Sequence, residues 1–426
     1  LKLSLKKIWA ILFIISIIIQ REIASIEVNT VILTVFTIFF LIINKGKILR
    51  QDLELLSFLV IIILIGIISA LFNKPTTYDF IRDLIYFTKP LILILLGYFT
   101  ARSINDWRII IKTIIYLGFT YAIYHILHTI IFTDFSNTSV ANIRKINGLS
   151  NVIEVYAIAL VILGLKTPFF NVIKGKNSKT IILTTLVLSF ILYFSRTMFV
   201  SLIFLILGVL NYLKLNKKGL KYLAITAIFF IGLYAYLFSI EIKRNGDTID
   251  GFLYKLKIAP SEIFSPKINL NDHAQLWDHW RAYEAYCAFQ SLNQTPVSYF
   301  NGKGLGALVD LKFAAPLSSD GNIRYIPILH NGYVFVLYKT GIIGLILYLI
   351  FLVYLYYQAY RKTKSIEVKT FGNILSATAF YLIFSSLIIT GLYNLKEETA
   401  ILLGVFLYLK TSSVLKRKYE NRNHWN

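Results

Sequence analysis

The chain has one cysteine, Cys287, in 426 residues, which excludes an intrachain disulfide and a multi-cysteine metal site. Charge is also scarce, at 15% Asp, Glu, Lys and Arg together, and acidic residues most of all: 22 against 44 Lys and Arg. A soluble domain carries about a quarter charged residues. So small a share cannot clothe a chain of this length in water, and 57% of the residues are hydrophobic. This is the composition of a polytopic membrane protein. No internal repeat at a fixed period and no inverted halves are visible, so neither a solenoid nor a two-fold transporter is indicated. The basic start, Lys2, Lys6 and Lys7 ahead of residues 8–19, has no small-residue cleavage pattern after Gln20-Arg21-Glu22 and reads as an uncleaved first span.

Apolar runs fall at about 8–20, 29–44, 55–72, 84–100, 109–132, 151–165, 180–195, 197–213, 221–240, 331–357, 371–392 and 397–412. About twelve transmembrane helices are therefore expected, giving an all-α integral membrane protein. Lys and Arg should then gather on alternate connections, and they do. With the N-terminus inside, Lys45, Lys47 and Arg50 lie inside, as do Arg102 and Arg108, and then Lys166, Lys174, Lys176 and Lys179. The same side takes Lys214, Lys217, Lys218 and Lys221, then Arg361, Lys362, Lys364 and Lys369, and last Lys416, Arg417 and Lys418. The outer connections hold few: Arg21, Lys74 and Arg82, Arg144 and Lys145. Both termini are then expected in the cytoplasm. The formal charge of +22 is thereby assigned to loops facing anionic lipid, and no nucleic-acid partner is expected.

One connection is long. The reading divides the chain into residues 1–240 with nine spans, an outer segment 241–330, and residues 331–426 with the last three spans and a basic tail. Loops beyond about 15 residues are usually functional or disordered, and this one has the composition of a folded segment. Leu276, Trp277, Trp280, Tyr283 and Cys287 fall near helical spacing between Asp272 and Leu292, with Asn271 or Asp272 as cap and Asn293 with Pro296 as stop. The expectation is one continuous helix on the outer membrane face with its tryptophans at headgroup depth. A glycine turn, Gly302, Gly304 and Gly306, follows, then a polar run Ser318-Ser319-Asp320-Gly321-Asn322 leading to His330.

His330 stands where that segment meets the apolar run after Asn331-Gly332-Tyr333. A lone histidine at a span boundary is commonly a hydrogen-bonded structural residue, but an imidazole titrates near neutral pH and so can act as a general base. Arg196 lies between two apolar runs, where a guanidinium is costly and either snorkels or functions. Arg281, beside Trp280, could pair with Glu284 at i+3. Guanidinium forks suit phosphate oxygens. Asp272, His273, Asp278 and His279 offer metal-ligand atoms, but His273 and His279 would face different ways on a helix, so no metal and no cofactor is expected. His125 and His128 share a helix face and suit packing or an interhelical hydrogen bond. Glu154 is an intramembrane carboxylate that could pair with an arginine or bind a sugar.

His330-Asn331-Gly332-Tyr333 followed by Gly341-Ile342-Ile343-Gly344-Leu345, preceded by Gly302-Lys303-Gly304-Leu305-Gly306 and an arginine-bearing loop helix, resembles the O-antigen ligase and polymerase superfamily. The resemblance is specific over residues 275–350. It implies a glycosyltransferase-C-like fold with one large periplasmic loop, and a metal-independent transfer in the bacterial inner membrane. The donor would be a glycan on undecaprenyl diphosphate and the acceptor lipid A-core or another lipid-linked glycan. It also implies that His330, Arg281 and Arg196 are the catalytic residues, with Arg324 and Lys303 as other loop cations able to stand for Arg281. Asn331, Trp280, Gly304 and Glu154 are the candidate substrate contacts. A single large loop favours a ligase over a repeat-unit polymerase, and a loop ending in His-Asn is unexplained in a flippase.

Overall fold

The structure is a computed structural model that describes residues 4–133, 151–242, 249–269, 273–318, 321–360 and 363–423. Lys2, Arg144, Lys145, Asn271, Asp272, Ser319, Asp320, Arg361 and Lys362, singled out above, lie outside the described residues. Each apolar run is helical. The first five helices are α1 (Leu5–Glu22), α2 (Ile26–Ile43), α3 (Arg50–Asn73), α4 (Thr77–Ile104) and α5 (Trp107–Phe132). Next come α6 (Asn151–Lys166), α7 (Lys176–Leu192), α8 (Arg196–Val209) and α9 (Lys217–Ser239). Four short helices occupy the long connection: α10 (Ile249–Lys257), α11 (Ser261–Phe264), α12 (His273–Asp278) and α13 (Trp280–Asn293). They are followed by α14 (Ser298–Asn301), the strands β1 (Val309–Ser318) and β2 (Gly321–Ile326), then α15 (Gly332–Tyr357), α16 (Ile366–Ile388) and α17 (Thr399–Asn423).

Seven of these helices, namely α2, α3, α4, α5, α9, α15 and α16, are long and apolar enough to cross a membrane, whereas α8 and α17 offer shorter apolar stretches. Their starts are chemically marked. Ser25, Thr76, Asp106, Asn216, Asn331 and Ser365 each accept a backbone N–H of the first turn that follows, which satisfies a donor that would otherwise be orphaned. Polar side chains thus fix the ends of segments whose interiors are almost uniformly apolar.

Small residues fix how closely the helices approach. A Cβ at Gly97 of α4 would sit 1.9 Å from the Ile401 carbonyl oxygen of α17, and one at Gly404 would sit 1.9 Å from that of Ile94. The backbones of α4 and α17 are therefore in contact through reciprocal glycines, as is common where lipid removes the hydrophobic drive between helices. By contrast α9 has only 6% of its apolar window buried and presents Ile225, Ile228, Phe229 and Ile231 outward.

Three expectations are corrected by the long connection. It is not purely helical: β1 and β2 form an antiparallel hairpin, with Val309, Leu311 and Ala315 buried as alternation on a half-buried strand requires. Its main helix is not continuous either, because the backbone leaves helical geometry at His279, between α12 and α13. The new helix buries Trp280, Glu284, Cys287, Ala288 and Leu292, a stripe at helical spacing. Trp280 is consequently an interior residue at 3% exposure and not a headgroup anchor.

The segment also penetrates the bundle. Gly341 breaks α15 with φ 67°, and the carbonyls of Tyr338 and Lys339 accept from Lys303 N at 2.7 Å and Gly304 N at 3.0 Å. The kink frees backbone acceptors, and the glycine turn supplies the donors. Gly306 N donates to Asp83 Oδ2 at 2.6 Å, and the same carboxylate receives the ammonium of Lys339; both side chains are at most 1% exposed. Residues Val334–Gly341 are buried by this wrapping, and outward-facing apolar side chains on α15 begin at Ile342. His330 therefore precedes a buried first half of its helix, and the outward-facing apolar side chains begin twelve residues after it, past the break at Gly341. Lys339→Met should lower stability by about 3–5 kcal/mol because it strands a buried carboxylate. Adding Asp83→Asn to Lys339→Met should recover most of the loss, as thermal unfolding in detergent micelles can measure.

Candidate functional site

The backbone of His330 is held between two elements. Its carbonyl accepts from Thr390 N at 2.6 Å and its N–H donates to Glu284 Oε2 at 3.0 Å. The imidazole Nδ1 lies 2.8 Å from that same oxygen, and Trp280 Nε1 donates to Glu284 Oε1 at 2.5 Å. A carboxylate oxygen that accepts the backbone N–H can accept an Nδ1–H as well, the arrangement that leaves Nε2 open. The Glu284 side chain is 4% exposed and that of His330 48%: a buried carboxylate orients an exposed imidazole.

The expected pairing of Arg281 with Glu284 is not formed. Arg281 Nη1 donates instead to Glu262 Oε2 at 2.6 Å. Arg196 reaches the same carboxylate, with Nη1 and Nη2 3.3 Å from Oε1 and Nη2 3.2 Å from Oε2, and Nη1 also donates to the Lys255 carbonyl. One carboxylate on α11 thus joins the two arginines that the sequence places 85 residues apart (281 − 196). Arg281 is in turn one helical turn from Glu284 on α13, where side chains three apart are neighbours. His330 with Glu284, and Arg196 with Arg281 around Glu262, are thus two clusters related through α13, which carries both Glu284 and Arg281.

The two guanidiniums share a position as well as a carboxylate. Arg196 is the first residue of α8 and Arg281 the second of α13, so both cations sit at helix ends that already carry positive partial charge. Neither helix is capped by its N-cap side chain, Ser195 or His279. Burial pulls the Arg281 guanidinium below its usual value, and Glu262 opposes that shift. Arg281 Nε is buried without a hydrogen-bond partner among the described residues. Two guanidiniums and two helix N-termini thus converge on one carboxylate, with Glu284 acting on Arg281 from one turn further along α13.

The remaining candidates are placed elsewhere. Asn331 uses its carbonyl oxygen to cap α15, accepting from Tyr333 N and Val334 N at 3.1 Å each. Trp280 packs among Trp277, Tyr283 and Phe313 and supports Glu284 instead of facing a substrate. Gly304 lies against α3, where a Cβ would be 2.3 Å from Ala70 N, so it is a packing turn and not a phosphate cradle. Glu154 is fully buried and closed off by Ser189 Oγ at 2.6 Å and Tyr193 OH at 3.0 Å. Among the described residues its partners are hydroxyls and not an arginine, and His125 joins it through Ser189 at 2.7 Å. Lys303 donates to Thr295 and Arg324 makes a bidentate pair with Asp310 at 2.8 and 3.0 Å, so Arg281 and not these cations completes the pair with Arg196. Among the described residues no three His, Cys, Asp or Glu side chains are grouped to hold a metal ion.

Sequence reasoning missed Glu262 altogether and saw Glu284 only as a helix partner. The signal for Glu284 was present: an acidic residue on the apolar face of α13, four residues after Trp280. No protein-family model matches the chain, and no curated protein matches it. Glu284→Ala should leave the Trp280 indole and the His330 amide without acceptors, each costing about 1–3 kcal/mol. The expected result is a lowered unfolding midpoint together with a changed tryptophan emission spectrum, with Glu284→Gln milder in both.

Proposed function

We propose that the chain is a metal-independent, inverting glycosyltransferase of O-antigen ligase type, resident in the bacterial inner membrane with both termini cytoplasmic. It would move a glycan from undecaprenyl diphosphate to a lipid A-core or similar acceptor at the periplasmic face, the side to which charge alternation assigns the 241–330 segment. The observation that carries this reading is an exposed imidazole held by a buried carboxylate, Glu284, whose helix also carries Arg281 one turn away, with Arg281 and Arg196 joined through Glu262 at two helix starts. The first part suits deprotonation of a hydroxyl and the second suits a diphosphate leaving group.

In this mechanism His330 Nε2 takes the proton of the acceptor hydroxyl as its oxygen attacks the anomeric carbon. The bond from that carbon to the diphosphate oxygen breaks on the opposite face, so configuration inverts and undecaprenyl diphosphate leaves with the electron pair. Arg196 and Arg281 stabilise the charge that develops there, an effect that preorganised donors deliver without reorganisation at the moment of reaction. Glu284 holds the proton on Nδ1 and stabilises the imidazolium that forms.

His330→Ala should reduce glycan transfer by about 10² or more in a reconstituted assay, and Arg196→Ala or Arg281→Ala by about 10² to 10³. Transfer should persist in EDTA. Wild-type rates in His330→Ala would refute the base assignment, and abolition by EDTA with rescue by Mg²⁺ would refute the metal-free chemistry. Deletion of the gene with gel analysis of surface polysaccharide distinguishes the acceptor. Loss of all glycan on lipid A with accumulation of lipid-linked polymer identifies a ligase, whereas capping by a single repeat identifies a polymerase.

A further inference from the structure

We propose that Glu262 is an internal anion that occupies the Arg196 and Arg281 clamp when no donor is bound, is exchanged for the diphosphate on binding, and returns to expel the lipid diphosphate product. The proposal rests on reading the two arginines as the diphosphate clamp. A carboxylate oxygen and a phosphoryl oxygen offer a guanidinium the same kind of acceptor, and Glu262 Oε2 is shared by Arg196 Nη2 at 3.2 Å and Arg281 Nη1 at 2.6 Å. The carboxylate therefore stands where a bridging anion would stand. A ligand cannot take both forks while it remains there.

The contacts are unequal. Charge-assisted N–H···O bonds run about 2.7–2.9 Å, so the bond to Arg281 is tight, whereas those to Arg196, at 3.2–3.3 Å, are loose. Each guanidinium also stands at a helix start that has no side-chain cap, and a ligand with two or more negative charges brings more charge to those positions than Glu262 does. An internal competitor lowers affinity for donor and product alike. Its gain is in release, because the departing diphosphate carries more charge than the donor and would otherwise be held more strongly.

The test uses the full chain in lipid nanodiscs with farnesyl diphosphate as probe. Glu262→Gln, whose amide carries no charge, should bind the probe about tenfold more tightly than wild type or better, given the strength of hydrogen bonds to charged groups. Its dissociation should be slower, and in the transfer assay KM should fall together with kcat. Glu262→Asp keeps the charge with a shorter reach and should fall between the two, which keeps the test open if the Gln variant does not fold. Equal or weaker binding in Glu262→Gln, or in Glu262→Asp where it alone folds, overturns the proposal and makes Glu262 a residue that positions the arginines. Arg196→Ala and Arg281→Ala separate the two levels. Loss of probe binding in them with no gain in the Glu262 variants rejects only the competitor role. Probe binding unchanged in them rejects the clamp and the competitor together.

Discussion

Two guanidiniums at the starts of two helices are the constraint on which the rest of the 241–330 segment depends. Arg196 opens α8 and Arg281 opens α13, and each stands where the helix dipole already disfavours a cation, by about 0.3–1 kcal/mol at an exposed site. Such an arrangement persists only when an anion offsets it. Here that anion is Glu262, and the break at His279 starts α13 one residue before Arg281. A continuous helix from residue 272 to 292 would have placed Arg281 mid-helix, with no free N–H groups behind it.

The imidazole depends on a second layer of support. Trp280 and the His330 amide saturate Glu284, so the carboxylate is fixed before it orients the ring. Beneath it the glycine turn docks on the carbonyls released at Gly341 and on Asp83, which Lys339 neutralises in an interior position. Those contacts tie the segment to α3, α4 and α15 over several turns. Catalytic geometry needs rigid backing of this kind, because small displacements of reacting groups cost large factors in rate. His330 is accordingly carried on the end of a well-packed helix and not on a free loop.

Much of this was legible in the chain and some was not, for identifiable reasons. Helix positions followed from apolar runs and from capping residues such as Thr76 and Asn331, since each is a local property of a few residues. Arg196 and Arg281 were visible because a cation near apolar sequence is conspicuous. Glu262 was invisible because a single acidic residue in the four-residue helix α11 carries no periodic or spacing signal. The hairpin was missed because the alternation of Val309, Leu311 and Phe313 is short, and Lys312, with φ 66°, bends the strand before the pattern can extend. For Glu154 and Gly304 the sequence left the partners open, because a polar or flexible residue near a site by sequence says nothing of whether its partners are protein.

By itself the sequence determined that the chain is a membrane protein, where its helices run, and that His330 closes the one long connection, because hydropathy, caps and length are additive along the chain. Only the tertiary structure decided which carboxylate each cation meets. Glu284 went to the histidine and Glu262 to both arginines, because partner choice depends on the backbone break at His279 and on the docking of α11. Neither can be summed from local preference.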